Sequence, residues 1–311
     1  QEAGGRVLIA DNPFLPPINE RGWDSLYEST GYRSIAAETG VELNKSIVPQ
    51  QRPHPEGSLI RVVDTSSFLS ESDVVISVPK LKTHGLVRYT GAVKNLFGVV
   101  PGTTKAGYHV KLQTTERFAT MLLDLAGFVR PALTVMDAVV GMDGDGPSAG
   151  QPFPIGAILA APDPLALDVA ALGLVGHKPA SVPTVAGAVA RGWTTGSVGD
   201  LEILGEDLAT MVVSGFRLPP GGRSEMDHVP QFLRPVGTRL LVPSPFVNVR
   251  CIGCGMCIEG CPVQTIFGVD GRARMHLSNC IRCYCCHEVC PEQAITLRQP
   301  WLGRKLAQVW A

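Results

Sequence analysis

Cys251 opens the segment CIGCGMCIEGCP and Cys280 opens CIRCYCCHEVCP, so one cysteine spacing occurs twice in 311 residues, offset by 29 positions. Each copy reads C-x2-C-x2-C-x3-C-P, and the two together take eight of the nine cysteines. With this spacing the first three thiolates cap three corners of one iron-sulfur cubane, while the fourth reaches across to the other. The pattern predicts two [4Fe-4S] clusters with crossed ligand sets. Cluster I takes Cys251, Cys254, Cys257 and Cys290; cluster II takes Cys280, Cys283, Cys286 and Cys261. Pro262 and Pro291 follow the fourth cysteines, where a fixed φ and a missing amide hydrogen turn the chain away.

Other uses of cysteine fit less well. Four-cysteine zinc sites carry two C-x2-C pairs separated by a longer loop, not three cysteines in each half. A disulfide framework has no support, because the first 250 residues lack cysteine and a chain of this length can build a core without staples. Cys285 stands between two ligands and reads as a small buried apolar side chain, against a reactive thiol or an alternative ligand.

The repeat runs past the ligands. Val263-Gln264-Thr265-Ile266 aligns with Glu292-Gln293-Ala294-Ile295, each a short strand behind its cysteine loop, so two halves make one pseudo-symmetric domain. Asp270-Gly271 is a turn signal between them, and Phe246-Val247-Asn248-Val249 is the expected opening strand. Over about 60 residues this stretch resembles the bacterial two-cluster ferredoxin domain, with every ligand position filled. The resemblance implies an α+β fold and low-potential one-electron transfer through two [4Fe-4S] clusters.

The remaining length allows about one further domain, and 45% apolar with 18% charged residues is ordinary for a globular protein. A net charge of −1 gives no argument for a nucleic-acid or membrane partner. From residue 247 onward seven Arg and Lys face four acids; such a mildly basic cluster domain suits a wire attached to its own client domain. Uncrosslinked thiols and low-potential clusters favour a reducing cytoplasm, and no run of about 18 apolar residues suggests a transmembrane helix. Residues 301–311 carry Trp301, Leu302, Leu306, Val309 and Trp310 at spacings that suit an amphipathic helix.

Residues 1–217 alternate between short apolar runs and helical periodicity, predicting an α/β domain with a largely parallel sheet. The strand candidates are Val7 to Ala10, Val74 to Val78, Leu133 to Met136 and Ile155 to Ala160, read as strands buried on both faces. Thr115 to Phe128 reads as a helix closed by Pro131, and Asp163-Pro164 as the N-cap and first turn of another. Residues 218–242, opening on Pro219-Pro220-Gly221-Gly222, read as a linker, 243–299 as the cluster domain and 300–311 as a tail.

Ligands of such sheets bind at the carboxyl ends of strands, which directs attention to the segment after Val78. No acidic residue occurs between Asp73 and Glu116, whereas Lys80, Lys82, Arg88, Lys94, Lys105 and Lys111 do, with His84 and His109 beside them. Uncompensated cations, and glycines such as Gly98 that let backbone amides approach, point to an anionic ligand. The alternative is a solvated basic surface. The spacing is not a Walker loop, and no dinucleotide fingerprint follows a strand. Asp137, Asp143 and Asp145 form a second group, able to hold a hard cation, pair with the lysines, transfer protons, or merely shape a turn. Asp168 reads as a capping or packing partner.

The order VPKLKTH, TGAVKNLFGVVPG, MDAVVGMDGDGPSAG and APDPLALD resembles domain-of-unknown-function family 362, whose members are often joined to a two-cluster ferredoxin domain. That resemblance covers nearly the whole chain and implies architecture and iron-sulfur binding rather than a substrate. It also implies an additional strand and a Lys-Pro-Asn motif ahead of Val7, which this sequence does not show. The expected function is an iron-sulfur oxidoreductase. Lys80, Lys82 and Lys94 would hold an anionic substrate or cofactor, His84 or His109 would move protons, Asn95 would orient a polar group, and Asp137 or Asp143 would pair with the cations or bind metal. The competing expectations are an electron-transfer subunit serving a separate donor or acceptor protein, and a non-redox enzyme with structural clusters.

Overall fold

The computed structural model of the chain describes residues 4–15, 17, 19–112, 114–219 and 232–301. Its first elements are β1 (Leu8–Ile9), α1 (Glu20–Ser29), α2 (Tyr32–Thr39) and β2 (Glu42–Leu43), with β1 and β2 paired in parallel. A hairpin of β3 (Pro49–Pro53) and β4 (Val62–Ser66) follows. The main sheet is built from β5 (Ile76–Ser77), β6 (Lys80–His84), β7 (Arg88–Thr90), β8 (Leu133–Asp143) and β9 (Gln151–Ala161). Both β5 and β6 run parallel to β8, whereas β7 and β9 are antiparallel to their neighbours. Pro79 interrupts the ladder between β5 and β6, since it has no amide to donate, yet its carbonyl accepts from Asp137 N at 2.9 Å.

Between the strands lie α3 (Ala92–Asn95), α4 (Gly102–Lys111), α5 (Thr115–Val129), α6 (Pro164–Leu174) and α7 (Pro183–Ala190). Helix α5 starts where the Thr114 hydroxyl accepts from Arg117 N, and stops at Arg130, which adopts a left-handed φ of 45° before Pro131. It buries Phe118, Met121, Leu122 and Leu125, each contributing roughly 1.5–3 kcal/mol of transfer free energy. Helix α6 follows the expected start: the Asp163 carboxylate accepts from Leu165 N at 2.8 Å, and Pro164 occupies the first turn. Its apolar side chains join those of α5 and α7 against Leu81, Met136, Ala138 and Ala157 of the sheet.

The other face of the sheet departs from the expectation of strands buried on both sides. Ile76, Val78 and Ile158 are 58%, 69% and 70% exposed. Burial instead alternates along β8 and β9, the period of a sheet covered on one face.

After α8 (Leu208–Met211), helix α9 (Arg234–Leu241) occupies part of the segment read as linker; positions 220–231 and the amphipathic tail from Leu302 lie outside the described residues. The C-terminal region consists of β10 (Ser244–Val247), α10 (Met256–Glu259), β11 (Ile266–Val269), β12 (Arg272–Met275), α11 (Cys285–Glu288) and β13 (Ile295–Arg298). Strands β10 and β13 pair antiparallel, and so do β11 and β12. Asp270 and Gly271 both take positive φ, 49° and 69°, as a tight two-residue hairpin turn requires. No helix among the described residues is long and apolar enough to cross a membrane.

Gly91 marks the tightest approach between strand and helix, where a methyl group would overlap the Tyr89 hydroxyl and the Asp168 carboxylate. Gly107, inside α4, faces open space. Gly91→Ala is expected to cost about 2–3 kcal/mol, and Gly107→Ala to be neutral or stabilising by up to ~1 kcal/mol. Urea midpoints of the two variants would show the contrast, and equal midpoints would contradict the packing described.

Candidate functional site

Two cavities in the C-terminal region are each lined by four cysteines. Cys251, Cys254, Cys257 and Cys290 surround the first, together with Ile252 and Arg272. Cys261, Cys280, Cys283 and Cys286 surround the second, with Pro262, Met275 and Tyr284. All nine cysteines are unbridged. Backbone amides already point at sulfur: Thr265 N donates to Cys261 Sγ at 3.3 Å, Ala294 N to Cys290 Sγ at 3.2 Å, and Ala273 N to Cys251 Sγ at 3.4 Å. Such donors favour thiolates, the form that binds iron. Four converging sulfurs with amide donors therefore fit an iron-sulfur cluster in each cavity.

The two cysteine loops share a backbone and differ in what they face. Gly253 and Gly255 of the first loop take left-handed φ of 72° and 81°; their counterparts 29 positions on, Arg282 and Tyr284, do so at 54° and 63°. A side chain in this region costs about 1 kcal/mol or more. At the second loop that cost is offset by burial. Tyr284 is 2% exposed within the core of the α/β domain, and its hydroxyl donates to Pro243 O at 3.0 Å. Gly85 lies beside it, where a Cβ would be tight against Leu297 Cδ1 at 3.1 Å and in ordinary contact with the Tyr284 ring at 3.5 Å.

The loop of Asp143, Asp145 and Ser148 forms the seat for this second cysteine loop. Asp145 O lies 3.0 Å from His287 Nε2, the Ser148 hydroxyl donates to Glu288 O at 2.8 Å, and Gln293 Nε2 donates to Ser148 O at 3.0 Å. Asp143 is held by Arg217 through two bonds of 2.9 and 3.1 Å, which keep its carboxyl below the usual range. Asp137 pairs with Lys80 at 2.7 Å on the exposed side of the sheet, and the Lys80 ammonium likewise holds its carboxyl low. Both aspartates thus pair with cations, one of the roles expected for them.

Of the sequence candidates, Lys82, His84, Lys94 and His109 are brought together with Lys105, and they converge on an acid from the other end of the chain. Glu288, on α11 between ligand-type cysteines, places Oε1 3.1 Å from His84 Nε2; both atoms are buried and otherwise without hydrogen-bond partners. His84 Nδ1 accepts from Leu86 N at 3.1 Å and Val87 N at 3.4 Å. It therefore carries no proton, and the neutral ring must hold its hydrogen on Nε2, facing Glu288. Burial, reinforced by the Lys94 charge, lowers the His84 pKa to about 4 although Glu288 opposes the shift. Burial alone would raise Glu288, yet His84, Lys94 and His109 together hold it well below the usual carboxylate range.

The lysines are shifted too. Burial lowers Lys82 and Lys94, against the pull of Glu288 on both and of Asp11 on Lys82. Lys105 falls to about 8 for the same reason, with Asp11 opposing. Lys94 and Lys105 each place Nζ within 6 Å of the Phe97 ring centre, at 5.8 and 5.9 Å, where the ring face attracts cations. His109 stacks on Phe118 at 4.6 Å. The acids that face these three lysines are Glu288, its Oε1 buried, and the exposed Asp11, one fewer than the cations. Lys80 and Asn95 stand apart: Lys80 on its ion pair with Asp137, and Asn95 donating to the Ser77 hydroxyl at 3.0 Å. Gly98 lies at the edge, its carbonyl accepting from Asn12 Nδ2 at 2.8 Å.

Asp168 supports the site from beneath. It accepts from Ala92 N at 2.6 Å, Val93 N at 3.0 Å and the Tyr89 hydroxyl at 3.1 Å, capping α3, which presents Lys94. Burial raises its pKa to about 7 despite those three donors. Sequence reasoning missed Glu288 and Asp11. Asp11 follows a strand end, the position at which ligand residues were sought elsewhere. Glu288 had no local signal, because its partners lie about 200 positions away.

The fold and these sites define an α/β domain joined to an iron-sulfur module. Residues 1–173 match the family described as domain of unknown function (DUF362), and residues 246–291 match a 4Fe-4S dicluster domain. The chain belongs to the DUF362 family. It is 33% identical over 187 residues to the thylakoid-associated protein sll1697 of Synechocystis sp., an alignment spanning 60% of this chain and 56% of that protein. The chain thus spans little more than half the length of that relative. No solved structure matches it.

The depressed pKa of His84 makes the site sensitive to acid. A buried base that prefers its neutral form contributes stability above its unfolded value of about 6.5, and that contribution is lost as pH falls toward about 4. Anaerobic urea midpoints should therefore fall more steeply across this window in the wild type than in His84→Asn. Equal slopes would contradict the neutral state of the buried ring.

Proposed function

We propose that the protein is an iron-sulfur oxidoreductase in which electrons from a donor protein pass through two [4Fe-4S] clusters to an anionic compound at Lys82, Lys94 and Lys105. The observation that carries this reading is the insertion of the second cysteine loop, through Glu288, among His84 and the lysines. Bound clusters supply one-electron transfer. The first cavity is assigned to Cys251, Cys254, Cys257 and Cys290, and the second to Cys261, Cys280, Cys283 and Cys286. In this reading residues 1–217 hold the acceptor, 218–242 connect, and 243–299 carry electrons, in a reducing compartment such as the cytoplasm.

The chain's own groups do the rest. Lys94, held over Phe97 and positioned by the Asp168 cap, supplies charge to the acceptor, while Lys82 and Lys105 share that task. His84 offers only its Nε2 hydrogen, which it donates to the ionised Glu288, so the pair holds the carboxylate in place among the lysines. Lys80, Asn95, Asp137 and Asp143 serve the fold around the site. A second reading also rests on Glu288: its carboxylate already satisfies part of the cation cluster, as in a relay subunit whose lysines hold the cluster module in place for a separate partner enzyme.

Anaerobic purification with iron and sulfide counting, and mass spectrometry of anything released on denaturation, separates these. Roughly eight irons per chain with a released anion supports the oxidoreductase, and Lys94→Ala should then retain its iron while losing the anion. Eight irons with nothing released favours the relay, and a markedly lower count removes both.

A further inference from the structure

The two cluster cavities differ in what surrounds them. At the first, Cys254 is exposed and its neighbours Val249, Ile252 and Met256 are 82%, 64% and 37% exposed. At the second, Cys283, Tyr284, Cys285 and Cys286 are all buried, with Cys285 fully so. Cys285 shares a side-chain hydrogen bond with Cys283, and burial helps keep it a neutral thiol. Glu288 faces His84 and Lys94 from the same loop. The first loop has glycines at its two left-handed positions, whereas the second carries Arg282 and Tyr284 there, both buried and Tyr284 within the core of the α/β domain.

From this asymmetry we infer that the Cys280–Cys286 cavity is the inner redox site, its potential set by Lys94 and Glu288, and that the Cys251–Cys257 cavity is the outer site facing the donor. The inference rests on the two-cluster reading above. Lys94 is a positioning charge for the inner site: a nearby cation favours the reduced, more negative state, and a nearby carboxylate disfavours it. Substitution of the two residues must then shift one potential in opposite directions, which a general loosening of the loop cannot do.

The test is an EPR-monitored potentiometric titration of the full chain, prepared anaerobically, as wild type, Lys94→Ala and Glu288→Gln, with a soluble dysprosium chelate to mark the exposed centre. One potential is expected to fall in Lys94→Ala and rise in Glu288→Gln while the other stays fixed. The moving signal should be the one whose relaxation the chelate affects less. Joint movement, movement of equal sign, no movement, or movement of the chelate-sensitive signal would overturn the inference. A wild type with too little iron for two clusters would instead overturn the reading beneath it. If Lys94→Ala does not fold, Cys285→Ala takes its place: loss of the hydrogen bond to Cys283 should shift the inner potential alone.

Discussion

A carboxylate contributed by one end of the chain and a set of cations contributed by the other are buried against each other at the junction of the two regions. Glu288 ends 3.1 Å from His84, with Lys94, Lys82 and His109 close behind. Ionised groups removed from water are tolerated only when paired, so neither half of this contact is stable in isolation. The bonds from Asp145, Ser148 and Gln293 fix the same junction with neutral groups. The charge balance of the site follows from it.

The tautomer illustrates how local backbone sets chemistry. Two amides at Leu86 and Val87 claim Nδ1 of His84, and the ring is left with one hydrogen and one direction in which to offer it. Lys94 is placed in a comparable way. Its helix is only four residues long and would not form alone, but Asp168 caps it from α6 and Gly91 leaves room for that carboxylate.

How much of this the sequence revealed depends on the range over which each interaction acts. The cysteine spacing, the Asp163-Pro164 helix start and the Asp270-Gly271 turn are local, and each could be read from a few adjacent residues. The four apolar runs read as strands fall on β1, β5, β8 and β9, whereas the more polar β2, β3, β4, β6 and β7 gave no such signal, and two-sided burial was not legible: Ile76 and Ile158 look like core residues in sequence and stand on an exposed face. Counting charge along the segment from Lys80 to Lys111 overstated the imbalance. Lys80 is paired to Asp137 across the sheet, Arg88 donates to Pro219 O and Ser181 O, and Glu288 arrives from a different region altogether. Asp143, which resembled a metal ligand, answers to Arg217, 74 positions on.

The left-handed residues of the second cysteine loop bear on how the molecule comes together. A loop that carries Arg282 and Tyr284 where its twin carries Gly253 and Gly255 has no conformational reason of its own to take the shape that both share. Its surroundings supply one: Tyr284 is buried in the core of the amino-terminal domain, and Asp145 and Ser148, which leave the ribosome before the loop does, hold His287 and Glu288 beside it. The amino-terminal domain therefore acts as a mould for half of the carboxyl-terminal module, and the module's duplicated halves mature by different routes: one from its own glycines, the other by imprint.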